Sequence, residues 1–140
     1  MSEEDPDGII AALNKIQADM KPIIDRQRAL EDCFVPILRR QLESMGITFG
    51  GLFGGNCPVQ VEGKTQEGYA VYFRARGEHW RFHVAPSENE IMNDKEFWYE
   101  GGYGEEFEAG WMPMHQALLY MIFALKRFRA YARGKENPFD

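Results

Sequence analysis

The stretch that decides the fold runs from Tyr69 to Ala85 and reads Tyr-Ala-Val-Tyr-Phe-Arg-Ala-Arg-Gly-Glu-His-Trp-Arg-Phe-His-Val-Ala. Apolar and polar residues alternate on both sides of Gly77-Glu78, and alternation with a period of two predicts β-strands. Glycine at the first position of a two-residue connection is typical of a type II′ turn. The stretch therefore predicts a β-hairpin with strands at 69–76 and 79–85.

The two-residue turn also sets which residues oppose each other across the hairpin. Arg76 faces His79 and Arg74 faces Arg81, so the two faces of the hairpin differ in composition. The apolar face, which we expect helices to cover, holds Val71, Phe73, Ala75, Trp80, Phe82 and Val84. The other face, called the basic face below, holds Tyr72, Arg74, Arg76, His79, Arg81 and His83.

The basic face predicts a site for a small anion. Arg74 directly opposite Arg81 costs stability, because like charges on adjacent strands repel each other. A bound anion offsets that cost, and planar guanidinium groups beside an aromatic ring suit a phosphate joined to a base or sugar. Alternatively, the acidic segment 88–108 folds back and pairs with these arginines, or the arginines extend into solvent. The interpretations are compatible if the acidic segment forms the rim of a pocket.

Three further residues are candidates for the same site. Trp98 and Tyr103 follow the basic strands and lie beside a glycine-rich stretch, so their rings are available to stack on a base. Arg28 lies on the N-terminal helical segment, where it could contribute to a site between subunits. The alternatives are core packing for the aromatic rings and a solvated helix face for Arg28.

Residues 9–45 have a helical pattern with a heptad period. Gln27 interrupts the apolar series, which we call the seam, and a seam of this kind faces another helix or a second copy of the chain. Pro22 and Pro36 predict that the segment divides into helical pieces near 8–20, 22–35 and 36–45. The apolar seam positions, spaced by four and three residues, are Ile9, Leu13, Ile16, Met20, Ile23, Leu30, Phe34 and Ile37.

The remaining chain predicts an α+β domain. The glycine-rich stretch 48–58 predicts a loop, and 59–61 and 97–99 predict short strands. A C-terminal helix begins at Pro113 and ends at Gly134. We expect N-terminal helices and one long C-terminal helix to pack with an antiparallel sheet of about four strands.

This pattern also predicts the domain organisation. The expected parts are a flexible acidic N-terminus at 1–8, one domain at 9–134 and a frayed tail at 135–140. Within the domain we expect a helical segment at 9–45, a β-meander at 57–100 and the C-terminal helix at 113–133.

Composition excludes several classes of protein. The chain has 140 residues, of which 44% are hydrophobic, so it can bury a core without disulfides. Its net charge of −6 argues against a nonspecific nucleic-acid binder. The longest apolar run, 117–125, is far shorter than the roughly 20 residues that cross a bilayer. An acidic start and two cysteines without a CxxC pair predict a cytoplasmic protein with reduced thiols, in the host cytoplasm if the chain is phage-encoded.

The common catalytic and metal-binding signatures are missing from the sequence. It contains no GxSxG, HExxH or P-loop motif, and no GxGxxG that opens a helix after a strand. His79 and His83 share a face but are separated by about 13 Å along a strand, too far to bind one zinc ion. We therefore expect no catalytic residues, no metal and no cofactor.

The order of elements, with Tyr72-Phe73-Arg74-Ala75-Arg76 in the meander, resembles the phage Thoeris anti-defence proteins. The resemblance covers most of the chain and rests on architecture and on the mixture of arginine and aromatic residues. It implies an oligomeric, non-enzymatic sponge that sequesters cyclic ADP-ribose isomers or cyclic oligonucleotides. It assigns no roles to individual residues.

These observations predict a protein that binds a small anionic, nucleotide-derived ligand and assembles through its N-terminal helices. The alternative is an inhibitor or immunity-type interaction module that presents the acidic segment 88–108 to a basic partner. An enzyme that uses Cys57 or a histidine is a third hypothesis.

Overall fold

The computed structural model describes residues 6–91, 97–105 and 108–139. The described chain consists, in sequence order, of a long N-terminal α-helix, a five-stranded antiparallel sheet and a C-terminal α-helix, so the fold is α+β. The long elements are α1 (Pro6–Ser44), β1 (Thr48–Gly54), β2 (Val59–Lys64), β3 (Ala70–Arg76), β4 (His79–Ala85), β5 (Phe97–Gly102) and α2 (Met114–Ala132). Short 3₁₀ turns at Glu88–Glu90 and Ala109–Trp111 complete the described chain.

The sheet is a meander in which every strand pairs with its neighbours in sequence, in the order β1-β2-β3-β4-β5. The predicted hairpin is confirmed in its register, with Arg76 opposite His79 and Arg74 opposite Arg81. Gly77 has a φ of +66°, the left-handed conformation that a type II′ turn requires at its first central position. The sheet has one strand more than the four we expected.

The additional strand is β1, in the stretch for which the sequence predicts a loop. It pairs with β2 on both sides of an irregularity between Phe49 and Phe53. Within that irregularity, the backbone N–H groups of Gly51 and Leu52 donate hydrogen bonds to Glu62 Oε1, at 2.9 and 3.1 Å. The glycine-rich stretch is therefore a bulged edge strand, and the Glu62 side chain of the neighbouring strand stabilises it.

The prediction of two or three N-terminal helices is wrong, because α1 is one helix of 39 residues. Pro22 and Pro36 each remove one backbone donor, which leaves the carbonyls of Ala18 and Asp32 without their usual partners. All four residues are exposed, so water can hydrate those carbonyls. Hydration offsets the lost hydrogen bonds, and α1 continues through both prolines.

The chain divides into two compact units, Met1–Phe34 and Val35–Asp140, called the helical unit and the sheet unit below. Residues 1–5 of the N-terminus expected to be flexible lie outside the described residues, and 6–8 belong to α1 instead. Part of the tail expected to be frayed packs against the core instead. The Phe139 ring lies 4.9 Å from that of Tyr69 and 5.9 Å from that of Phe128.

One hydrophobic core lies between the apolar face of the sheet and α2. The sheet contributes Phe73 and Phe82, and α2 contributes Leu118, Met121 and Leu125, all with no exposed surface. The apolar face predicted from the hairpin is thus covered by a helix. The opposite face is left to carry the candidate site.

Candidate functional site

The register arranges the side chains of the basic face in rows across the sheet. Arg76 and His79 form the row beside the hairpin turn, and Gly102 continues that row without a side chain. The next row contains Gln60, Arg74, Arg81 and Glu100. The third row contains Glu62, Tyr72, His83 and Trp98.

The β3 and β4 residues near the hairpin turn line a depression of about 290 Å³, called the basic depression. Five of the six residues predicted for the basic face line it, so the structure brings them together. The sixth, Tyr72, lies opposite His83 in the third row and is not among the lining residues. The lining residues are Arg74, Arg76, Gly77, His79, Arg81 and His83.

Arg81 is the arginine of the depression that has a carboxylate partner. Its Nε donates a hydrogen bond to Glu100 Oε1 at 3.3 Å, between side chains that are 49% and 45% exposed. The Arg81 guanidinium also lies 5.5 Å from the centre of the Trp98 ring. Since Glu100 belongs to the acidic segment 88–108, part of the pairing anticipated from the sequence is present.

Arg74 and Arg76, unlike Arg81, have no described carboxylate partner. Among the residues that the structure describes, no carboxylate lies within ion-pair distance of either guanidinium. Arg74 lies between Gln60 on one side and the like-charged Arg81 on the other. Positive charge is therefore neutralised at the β5 side of the depression and uncompensated at the β3 side.

An aromatic row borders the basic depression. The ring of buried His83 lies 3.9 Å from that of Trp98 and 5.9 Å from that of Tyr72, measured between centroids. Trp98 is 41% exposed, so its ring is accessible on the same face as the arginines. Burial raises the pKa of the Tyr72 phenol, and Glu62 also raises it while Arg74 opposes the shift. Tyr72 is therefore a neutral hydroxyl at physiological pH.

A second depression of about 470 Å³, called the adjacent recess, continues the same face beyond Tyr72. Ala70 leaves room at its floor, and the exposed ion pair of Lys64 Nζ with Glu88 Oε1, at 3.6 Å, stands at its edge. Its lining residues are Thr48, Phe49, Gly50, Glu62, Gly63, Lys64, Ala70, Val71, Tyr72, Glu88 and Ile91.

Two of the predicted site residues, Tyr103 and Arg28, are not among the residues that line either depression. The Tyr103 ring lies 6.3 Å from that of Tyr120 and packs against the hydrophobic core, so the structure does not place it with the side chains of the basic face. Burial also raises the pKa of Tyr103. Arg28 is exposed on α1 within the helical unit, outside the sheet unit that holds the basic face.

Sequence reasoning missed Glu100, Glu62 and the adjacent recess. Glu100 could have been found by continuing the alternation from Trp98, which places both side chains on one face. The recess could not have been found this way. It depends on the additional strand β1 and on the path of the chain after β4.

The described residues contain no group of three or more His, Cys, Asp or Glu side chains arranged to hold a metal ion. Cys33 and Cys57 are both free thiols. No helix in the described part of the chain combines the length and apolar character needed to span a membrane.

Comparisons with protein families, with characterised proteins and with solved structures found no match. The resemblance to the Thoeris anti-defence proteins therefore stays a prediction.

Proposed function

We propose that the protein is a non-enzymatic binding protein that sequesters a small anionic, nucleotide-derived ligand on the basic face. A cyclic ADP-ribose isomer or a cyclic oligonucleotide is the ligand class that the sequence resemblance implies. The phosphates lie in the basic depression, and Trp98 offers an exposed ring beside them for a base.

The observation that carries the proposal is the pairing of Arg74 with Arg81 across the hairpin, while Glu100 neutralises Arg81 alone. An anion between the two strands contacts both guanidinium groups and removes their repulsion. Arg76 and His79 add further donors at the open end of the depression. The site is local, which reconciles it with a net charge of −6.

The adjacent recess supports a ligand larger than a phosphate ion. Tyr72 lines the recess, and His83, which lies opposite it across the hairpin, lines the basic depression. The neutral Tyr72 hydroxyl can donate a hydrogen bond to a ligand oxygen. A ligand with two separated parts therefore has a place for each. A compact inorganic anion uses the basic depression alone.

The test is the thermal unfolding temperature in the presence of cyclic mononucleotides, cyclic dinucleotides, ADP-ribose, cyclic ADP-ribose and inorganic phosphate. A ligand at one hundred times its Kd adds about 2.7 kcal/mol to the free energy of unfolding, which corresponds to a rise of about 10 °C. Mass spectrometry after denaturation should recover the ligand unchanged. No shift across the panel contradicts the proposal, and an altered ligand indicates an enzyme instead.

The matched variants are Arg74→Gln in the basic depression and Arg133→Gln at the exposed end of α2. Both remove one positive charge, so they share any general electrostatic effect. We expect Arg74→Gln to abolish the ligand-induced shift and Arg133→Gln to retain it. Equal losses in both variants would show nonspecific attraction rather than a site.

The interaction module with an acidic surface is the competing hypothesis. Glu88 and Glu100 are engaged by Lys64 and Arg81 of the same chain, which reduces the negative charge available to a basic partner. Under that hypothesis, Arg74→Gln leaves partner binding largely unchanged. The same variant therefore separates the two functions.

A further inference from the structure

The seam on α1 remains exposed in the structure. Its eight large apolar side chains, from Ile9 to Ile37, have exposed fractions between 43% and 58%. The residues that pack on the hydrophobic core come from a different stripe near the end of α1. That stripe consists of Val35, Leu38 and Leu42, and Met45, which follows the helix directly, also packs on the core.

Ile37 shows that the two stripes are distinct. It lies within the sheet unit between Val35 and Leu38, yet it is 50% exposed while both neighbours pack on the core. The core of the sheet unit therefore does not use the seam. A four-heptad apolar series that its own core does not cover requires another partner.

Both prolines lie away from the seam. With Leu13 and Met20 at heptad position a and Ile16 and Ile23 at position d, Pro22 falls at position c. Pro36 occupies the same position two heptads later. The carbonyls that the prolines leave without donors belong to position f, which faces solvent in a coiled coil. The prolines are thus placed where they disturb helix pairing least.

The polar residues of the heptad define the orientation of the partner. Gln27 occupies a position a, and a single polar residue there aligns identical helices so that the side chains meet each other. Arg26 at position g and Glu31 at the following position e carry opposite charges, which attract between parallel helices. The partner that satisfies both conditions is a second copy of this chain in parallel register.

The seam composition favours more than two copies. Position d holds Ile9, Ile16, Ile23, Leu30 and Ile37, and position a holds Leu13, Met20, Gln27 and Phe34. Two-stranded coiled coils favour the reverse arrangement, with a β-branched residue at a and leucine at d. Leucine at a with isoleucine at d, as in Leu13 and Ile16, shifts coiled coils toward trimers and tetramers. Ile10 and Ile24 at the flanking position e, 54% and 40% exposed, widen the apolar surface. We propose that residues 9–37 form a parallel, in-register coiled coil of three or more copies of this chain.

The number of copies is tested by light scattering on the full chain. We expect a mass of at least three times 16.2 kDa. A monomer or a dimer overturns the proposal.

A matched pair of variants tests whether the seam carries the assembly. Ile16→Asn introduces a polar side chain at position d, and Ala18→Asn introduces the same side chain at the outer position f. We expect Ile16→Asn to weaken assembly on the order of a hundredfold, because it removes a buried isoleucine from every copy. Ala18→Asn should assemble like the wild type. Its loss of helix propensity is larger than that of Ile16→Asn, because alanine favours a helix more than isoleucine does, so helix propensity alone predicts the opposite order.

Folding is checked separately by the near-ultraviolet circular dichroism of the sheet unit. If Ile16→Asn changes that signal, Leu30→Asn tests another layer of the seam. Seam variants that assemble as tightly as Ala18→Asn would overturn the proposal.

Orientation is tested by crosslinking through Cys33, an exposed thiol at position g, in a Cys57→Ser background. Parallel, in-register helices place the Cys33 side chains at the same height, so a short bis-maleimide should give covalent dimers. Antiparallel helices centred on the middle of the seam separate these thiols by about 30 Å and give none. A Cys33→Ser/Ala18→Cys variant moves the thiol to the outer face and should not crosslink. Crosslinking that is absent, or equal in both variants, contradicts the parallel arrangement.

Discussion

Arg74 lowers the stability of the ligand-free protein but contributes to the proposed binding of an anion at the basic face. Its guanidinium faces Arg81 across the hairpin, and no described carboxylate compensates it. Without ligand, the pair raises the energy of the folded state. With a bound anion, the same two groups provide the attraction. Sequence alone identified this conflict, because the register of a two-residue hairpin follows from the turn.

We expect Arg74→Gln to stabilise the ligand-free protein by about 0.2–1 kcal/mol, because it removes a direct like-charge pair. Chemical denaturation at low ionic strength measures the change. The gain should shrink as salt increases, because salt screens the repulsion. Arg81→Gln is the comparison, since it also removes the bond to Glu100 and should gain less. A loss of stability in Arg74→Gln would show that the repulsion is already compensated.

The pKa of the Tyr72 hydroxyl depends on the charged side chains of the same face. Its pKa is raised by burial and by Glu62, and Arg74 lowers it. We expect Arg74→Gln to raise the pKa of Tyr72 further and Glu62→Gln to lower it. Alkaline titration of tyrosinate absorption measures both shifts, and Tyr72→Phe identifies the signal. Shifts of the same sign in the two variants would contradict this arrangement.

The raised pKa of Tyr72 also has a consequence for stability at high pH. The unfolded state loses the phenolic proton first as the pH rises, because its pKa is the ordinary one. The contribution of the neutral Tyr72 is therefore complete below the ordinary pKa of tyrosine and is lost as the pH rises through the folded-state pKa. We expect Tyr72→Phe to reduce the alkaline loss of stability.

At the scale of elements, β5 illustrates how packing constrains individual positions. Gly101 lies against the core side of the sheet, where an added Cβ would approach the Trp80 indole to 2.5 Å. Trp80 cannot move aside easily, since its ring stacks on Tyr120 at 4.5 Å and on Phe73 at 5.7 Å. Gly102 lies on the other face, with 3.9 Å to its nearest atom.

We expect Gly101→Ala to destabilise the fold by about 1–3 kcal/mol, because it overpacks a dense aromatic cluster. Gly102→Ala should lie within about 0.5 kcal/mol of the wild type, since surface substitutions away from special features have small effects. Chemical denaturation followed by tryptophan fluorescence measures both. Equal effects of the two substitutions would show that Trp80 relaxes.

At the scale of the whole molecule, the described hydrophobic core lies entirely within the sheet unit. Its members begin at Val35, and the seam residue Ile37 stays outside it. A chain that begins at Val35 therefore retains the hairpin, α2 and the basic face.

We expect the 35–140 chain to fold cooperatively, because it keeps every described core contact. Near-ultraviolet circular dichroism of Trp80 and its aromatic neighbours, followed during thermal unfolding, measures this. The same chain should lose assembly through the seam while it retains ligand-induced stabilisation. A fragment without a cooperative transition would show that the helical unit is required for the fold.

The sequence by itself determined the α+β class, the hairpin, its register and the composition of its two faces. These features follow from local rules, since alternation sets which side chains share a face and a two-residue turn sets which residues oppose each other. Only the tertiary structure decided that the glycine-rich stretch is β1, that α1 continues through Pro22 and Pro36, and that Tyr103 turns to the core. Each of these depends on a neighbour that local pattern does not contain: the Glu62 side chain for β1, solvent around the freed carbonyls for α1, and Tyr120 for Tyr103.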